Sequence, residues 1–210
     1  MIDLYCERLG PELWAEPINA LTNLAFLVAA WATWVLARRS ASRSGEVMPL
    51  VVLMVVIGIG SALFHTYATT WARVLDVLPI LSFQTLYIWV YSRRIISIGR
   101  GWSMLLAGGF LAAAIVGREF PAIGNGVLRY LPALLAFFGL AVYHYVANKQ
   151  GQRLLLAASG LFLLALIFRT VDLAVCSHLA VGTHFLWHVL DAAVLYLATR
   201  ALILNRTRDA

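Results

Sequence analysis

Seven apolar runs, at about residues 17–37, 47–65, 74–92, 101–117, 130–147, 154–169 and 182–200, limit what this chain can fold into. Each approaches the roughly 20 residues that a helix needs to cross about 30 Å of hydrocarbon. Only 12% of residues are charged, about half the share in an ordinary soluble domain, and the mean hydropathy is +0.84. A backbone surrounded by lipid must satisfy its own polar groups, and runs of this length do so as helices. The expected fold is all-α: one seven-transmembrane helix bundle over residues 1–210, with no length left for a second domain. Asp3, Glu7, Glu12 and Glu16 precede the first run, where a secretory signal would carry basic residues, so that run reads as a retained span.

The formal charge of +6 raises nucleic acid as a partner. The basic residues instead sit in small groups between apolar runs, with no basic stretch interleaved with aromatics, so no nucleic acid is expected. They read as topology signals, because cytoplasmic loops are enriched in Lys and Arg. With the N-terminus outside and the C-terminus cytoplasmic, Arg38, Arg39, Arg43, Arg93, Arg94, Arg100, Lys149, Arg153, Arg200, Arg206 and Arg208 fall inside. Arg8, Arg73, Arg118, Arg129 and Arg169 fall outside. Six or eight spans would spoil that asymmetry. The chain is expected to be a multi-pass integral membrane protein, in the inner membrane if its source is bacterial, with membrane lipids around it.

This topology brings a small set of polar residues to one depth. Span two runs outward and ends at His65, span three starts back inward at Asp76, and span seven enters from the outer side at His184 and His188. Residues four apart share a helix face, so Ser61 lies beside His65, and His184 beside His188. Neutral imidazole is the commonest zinc ligand, and three protein ligands leave a fourth position open for water. A catalytic Zn2+ near the outer face is the expectation, with interhelical hydrogen bonding as the structural alternative for the paired histidines. Asp76 either takes a proton from an activated water or caps its helix, and Ser61 either donates to an oxyanion or bonds back to its own helix.

Asp191, three residues past His188, orients a ligating histidine or makes an inter-helix contact. Glu16, Asn19 and Asn23 follow helical spacing behind Pro17 and form one polar stripe. The stripe packs helices, braces the catalytic ones, or joins Asp3 and Glu7 in an oxygen-ligand cation site. His144 is expected at the inner interface and His178 in a solvated outer loop. Cys6 and Cys176, the two cysteines, both fall on the outer side, where an oxidising compartment would let them form a disulfide; two separate thiols are the alternative.

The stretches Gly60-Ser61-Ala62-Leu63-Phe64-His65, Leu75-Asp76-Val77-Leu78-Pro79 and His184-Phe185-Leu186-Trp187-His188 resemble those of the alkaline ceramidase family. Its superfamily also includes adiponectin-receptor-like and haemolysin-III-like membrane proteins. The Tyr5-Cys6-Glu7 tail and Glu16 are similar as well, and order and spacing agree over most of the chain. The resemblance implies a zinc amidohydrolase that cleaves ceramide, or a related N-acyl lipid, to sphingoid base and fatty acid. It makes His65, His184 and His188 the ligands, with Ser61 and Asp76 beside the reacting carbonyl. Some relatives bind calcium through an acidic tail; Leu4 and Leu9 stand where oxygen ligands are expected, which counts against Ca2+ as a second cofactor. Asp191 departs from the family's pattern. A non-catalytic zinc-containing receptor or channel-like protein of the same superfamily is the alternative, and a haem-binding electron carrier, which would show a visible Soret band, a more distant one.

Overall fold

The computed structural model describes residues 1–40, 45–119 and 128–206. Arg43 and Arg208, counted above toward the inner side, lie outside the described residues. Within these bounds every regular element is helical: α1 (Pro17–Thr22), α2 (Leu24–Arg39), α3 (Val47–Tyr67), α4 (Thr70–Arg94), α5 (Arg100–Val116) with a short 3-10 turn after it, α6 (Leu131–Val146), α7 (Leu154–Val175) and α8 (His184–Arg206). The first two run on through Asn23 as one apolar segment. Counting that segment once gives seven helices, six of them long and apolar enough to cross a membrane. The other, α6, has 16 residues and is about 24 Å long.

Two helices differ from their expected spans because polar residues lie inside them. α4 begins at Thr70 rather than 74, four residues before the apolar run, with Thr69 extended at its N-cap. α7 continues past Arg169, expected in an outer loop, to Val175. Arg169 and Asp172 are both buried in the protein, so the helix has no need to stop at them. The helices form a closed ring in which each packs on its sequence neighbour and α8 packs on both α7 and α2.

Side-chain burial is inverted relative to a soluble protein. Trp31 is 64% and Val146 70% exposed on the outside of the ring, while Glu16, Asn19 and His144 are almost wholly enclosed. Such an apolar exterior suits hydrocarbon. His144, expected at an interface, is buried between the Tyr91 hydroxyl at 2.7 Å and the Gln150 carbonyl at 3.2 Å. His178 is exposed, beside Ser177.

α3 and α4 are joined by Ala68 and Thr69 alone, with Ala68 left-handed at φ 49°. Their close approach has a local cause. Pro79 lies inside α4 and has no N–H, so the carbonyl of Leu75, four residues earlier, is freed from the helix ladder. That carbonyl points at Gly60 of α3, where an added Cβ would collide with it. Glycine at 60 therefore lets the Ser61 turn close on the Asp76 turn.

Gly60→Ala should force the two helices apart and destabilise the protein by about 1–3 kcal/mol, the usual range for overpacking. Gly139→Ala, where a Cβ meets nothing within 4 Å, should be neutral. Thermal unfolding in detergent compares the two, and equal midpoints would contradict the close-approach argument.

Candidate active site

His65 comes from the last turns of α3, and His184 and His188 from the first two turns of α8. All three are buried, and one ligating atom from each lies within 4.8 Å of the others. Beside them the Ser61 hydroxyl donates to the Asp76 carboxylate. Because α4 starts at Thr70, Asp76 stands in its second turn, beyond the reach of a helix cap.

The partners of the imidazoles decide which nitrogens are available. His65 Nδ1 lies 2.5 Å from Glu16 Oε2, and a carboxylate only accepts, so Nδ1 carries the proton and Nε2 the lone pair. His188 Nδ1 lies 2.9 Å from Thr22 Oγ1. The single proton of that hydroxyl goes to the Ile18 carbonyl at 2.8 Å, so His188 Nδ1 donates and its Nε2 is free. His184 Nδ1 is buried with no hydrogen-bond partner in the protein. Three neutral imidazoles with unspent lone pairs around one point fit a divalent ion of the zinc type.

A chain of buried groups holds this arrangement. Glu16 Oε1 accepts from Arg8 Nε at 2.5 Å, and Asn19 Nδ2 donates to Glu16 Oε2 at 3.2 Å. Arg8 also donates to the carbonyls of His65, Gly10 and Glu12. Burial pushes the Glu16 carboxyl up, but His65 and Arg8 more than offset this and hold it below the usual carboxylate range. Asn23 bonds the Asn19 carbonyl at 2.8 Å. The stripe thus meets the site through Glu16. Glu7 accepts from the backbone N–H groups of Ile18 and Asn19 and so caps α1. The carboxylates of Glu7 and Glu16 are thus engaged by donors of the protein, and the cation beside Glu16 is the Arg8 guanidinium.

On the other flank, Asp172 accepts from the N–H groups of Cys6, Thr183 and His184 at 2.6–3.0 Å, seating the N-terminal tail and the first turn of α8 on one carboxylate. Gly182, at φ 67°, passes so close that a Cβ would strike Asp172 and Cys6. Cys6 and Cys176 are joined by a disulfide with Cα atoms 5.3 Å apart. Tyr5 stacks on His184 with ring centroids 3.6 Å apart, and burial pushes its phenol well above the usual range, so it remains a neutral group. Arg169 hydrogen-bonds Tyr5 and Tyr130, and its guanidinium lies 5.9 Å from the Trp187 ring.

Sequence reasoning missed Tyr5, Arg8, Thr22, Arg169 and Asp172. Thr22 alone had a local signal, lying three residues past Asn19 on the same face. Asp191 does not bond the His188 ring; its carboxyl lies in the field of Arg169 of α7. The partner of His188 Nδ1 is Thr22, while Asp191 Oδ1 is buried without a hydrogen-bond partner.

Glu16→Gln and Thr22→Val should each weaken metal affinity by about 10–100-fold, the usual effect of losing a group that orients a ligand. Competition against a graded chelator measures this. Unchanged affinity in both variants would remove the orienting role.

No curated protein matches the chain. The family model for ceramidase matches residues 5–209, which takes in both histidine-bearing helices, Asp76 and the tail that seats them. With the match running through every element of the site, the chain belongs to the ceramidase family.

Proposed function

We propose that this protein is a zinc-dependent intramembrane hydrolase that cleaves the amide of a ceramide, or of a related N-acyl lipid, to a sphingoid base and a free fatty acid. The observation that carries the reading is the convergence of His65, His184 and His188 beside the Ser61–Asp76 pair in a chain of the ceramidase family. A divalent ion held by the three imidazoles would polarise the amide carbonyl and make water acidic near neutral pH. Asp76 then takes the proton from the attacking water and returns it to the departing amine. Ser61 holds Asp76 in place, and its hydroxyl, which rotates freely, turns to donate to the carbonyl oxygen as charge builds there. Glu16 and Thr22 keep His65 and His188 in the tautomer that leaves Nε2 free.

The orientation proposed is N-terminus outside and C-terminus cytoplasmic, with seven passes and the site toward the outer face. The bias of Lys and Arg supports it, and so does the disulfide, since such bonds persist in oxidising compartments. A substrate amide at the membrane interface would reach the site laterally while its chains stay in hydrocarbon. A non-catalytic zinc receptor is not favoured, because the ceramidase match covers nearly the whole chain.

Purified protein incubated with a ceramide should release fatty acid, and Asp76→Asn should lower the rate by about 10²–10⁴-fold with metal content unchanged. His188→Ala should lose the metal as well as the activity, as read by elemental analysis. Full-rate turnover by Asp76→Asn would overturn the assignment of the general base.

A further inference from the structure

Below the histidines the bundle contains a small cavity of about 60 Å³. It is walled by α2 and by α4 to α8, and its surface is apolar and aromatic, with Phe26, Phe83, Phe110 and Phe162 among the walls. Two polar side chains interrupt that lining, Asp191 and Gln84. Asp191 is the lining residue of α8 nearest the histidines. It lies three residues past His188, about 4.5 Å further along the helix axis. Its residue is 8% exposed, its Oδ1 is fully buried without a hydrogen-bond partner, and its carboxyl lies in the field of Arg169.

Of the other carboxylates near the site, Glu16 and Asp172 have both oxygens engaged by donors of the protein, and Asp76 is bonded by Ser61. An acceptor left unmatched in an apolar chamber is costly, and in membrane proteins such groups face pathways or ligands. We infer that Asp191 accepts a hydrogen bond from a hydroxyl on the substrate's hydrocarbon chain, within the first few carbons of the scissile amide, and so selects hydroxylated N-acyl lipids over plain ones. This rests on the hydrolase reading, which puts the amide at the histidines and the first carbons of a chain at the cavity. A site built to bond a hydroxyl rejects the analogue that lacks it, because its own polar group is then left unpaired. An apolar side chain at 191 would instead line the chamber like its neighbours and prefer the plain chain.

The test uses the full-length protein in detergent micelles and N-acyl lipids matched in length. One has plain chains, one has a hydroxyl on the acyl carbon next to the carbonyl, and one has an additional hydroxyl on the amine-side chain. The ratio of kcat/KM between a hydroxylated lipid and the plain one is read within each variant, so differences in folding cancel. Wild type should favour one hydroxylated lipid by about tenfold, Asp191→Leu should abolish the preference while still cleaving the plain lipid, and Asp191→Asn, which retains an acceptor, should keep part of it. Asp191→Leu should also raise Tm, whereas a structural carboxylate would lower Tm when lost. Equal ratios in wild type, or a preference that survives Asp191→Leu, overturn the inference. If no lipid is cleaved, the hydrolase reading fails separately, and the same lipids serve as ligands. A tenfold tighter Kd for the hydroxylated lipid, lost in Asp191→Leu, upholds the hydroxyl contact, and equal affinities overturn it.

Discussion

The ion pair between Arg8 and Glu16 is the contact on which the rest of the site depends. Each charge alone, taken out of water into this interior, would cost several kcal/mol, and the pair is tolerable only because further hydrogen bonds complete it. Arg8 bonds the backbone of α3 at His65 as well as Glu16, and Glu16 reaches the His65 ring and the Asn19 amide. One guanidinium thus fixes the tail, the start of α1 and the end of α3 relative to one another. The orientation of the His65 ring follows from how those charges are satisfied.

Backbone shape does for α4 what charge does for α3. The missing N–H of Pro79 leaves a carbonyl turned outward at Leu75, and the missing side chain of Gly60 makes room for it. Two absences, on two helices, bring a hydroxyl and a carboxylate together without any long-range ion pair. Asp191 stands apart from both solutions: the field of Arg169 reaches its carboxyl, but its Oδ1 has no hydrogen-bond partner within the protein.

Much of this was legible in the sequence, because lipid makes hydropathy an unusually direct record of helix position. The run starting at 47 and the run starting at 154 begin where α3 and α7 begin, and the spacing from Ser61 to His65 and from His184 to His188 placed four side chains on two faces. The errors share one origin. Thr70 to Arg73 and Arg169 to Asp172 look like loop by hydropathy, but their polar groups turn inward or sit at the helix start, so α4 begins earlier and α7 ends later. Arg8, Tyr5 and Asp172 escaped for another reason. Their partners are up to 179 residues away, as in the Tyr5–His184 stack, and no periodicity in one segment records a contact with another. Asp191 was singled out beside His188, but spacing from His188 says only that two residues share a face. It does not say which of them meets a cavity.

The Asp172 carboxylate joins Cys6, which precedes α1, to Thr183 and His184 at the start of α8. During synthesis the tail must therefore wait while the helices up to α7 are made, and the three histidines come together only when α8 arrives. Such long-range closure is slow, because loop-closure entropy is spent before the contact forms. A chain halted just before α8 would hold His65 but neither His184 nor His188, and so no centre. In this protein the site is assembled only when α8 meets the segment that precedes α1.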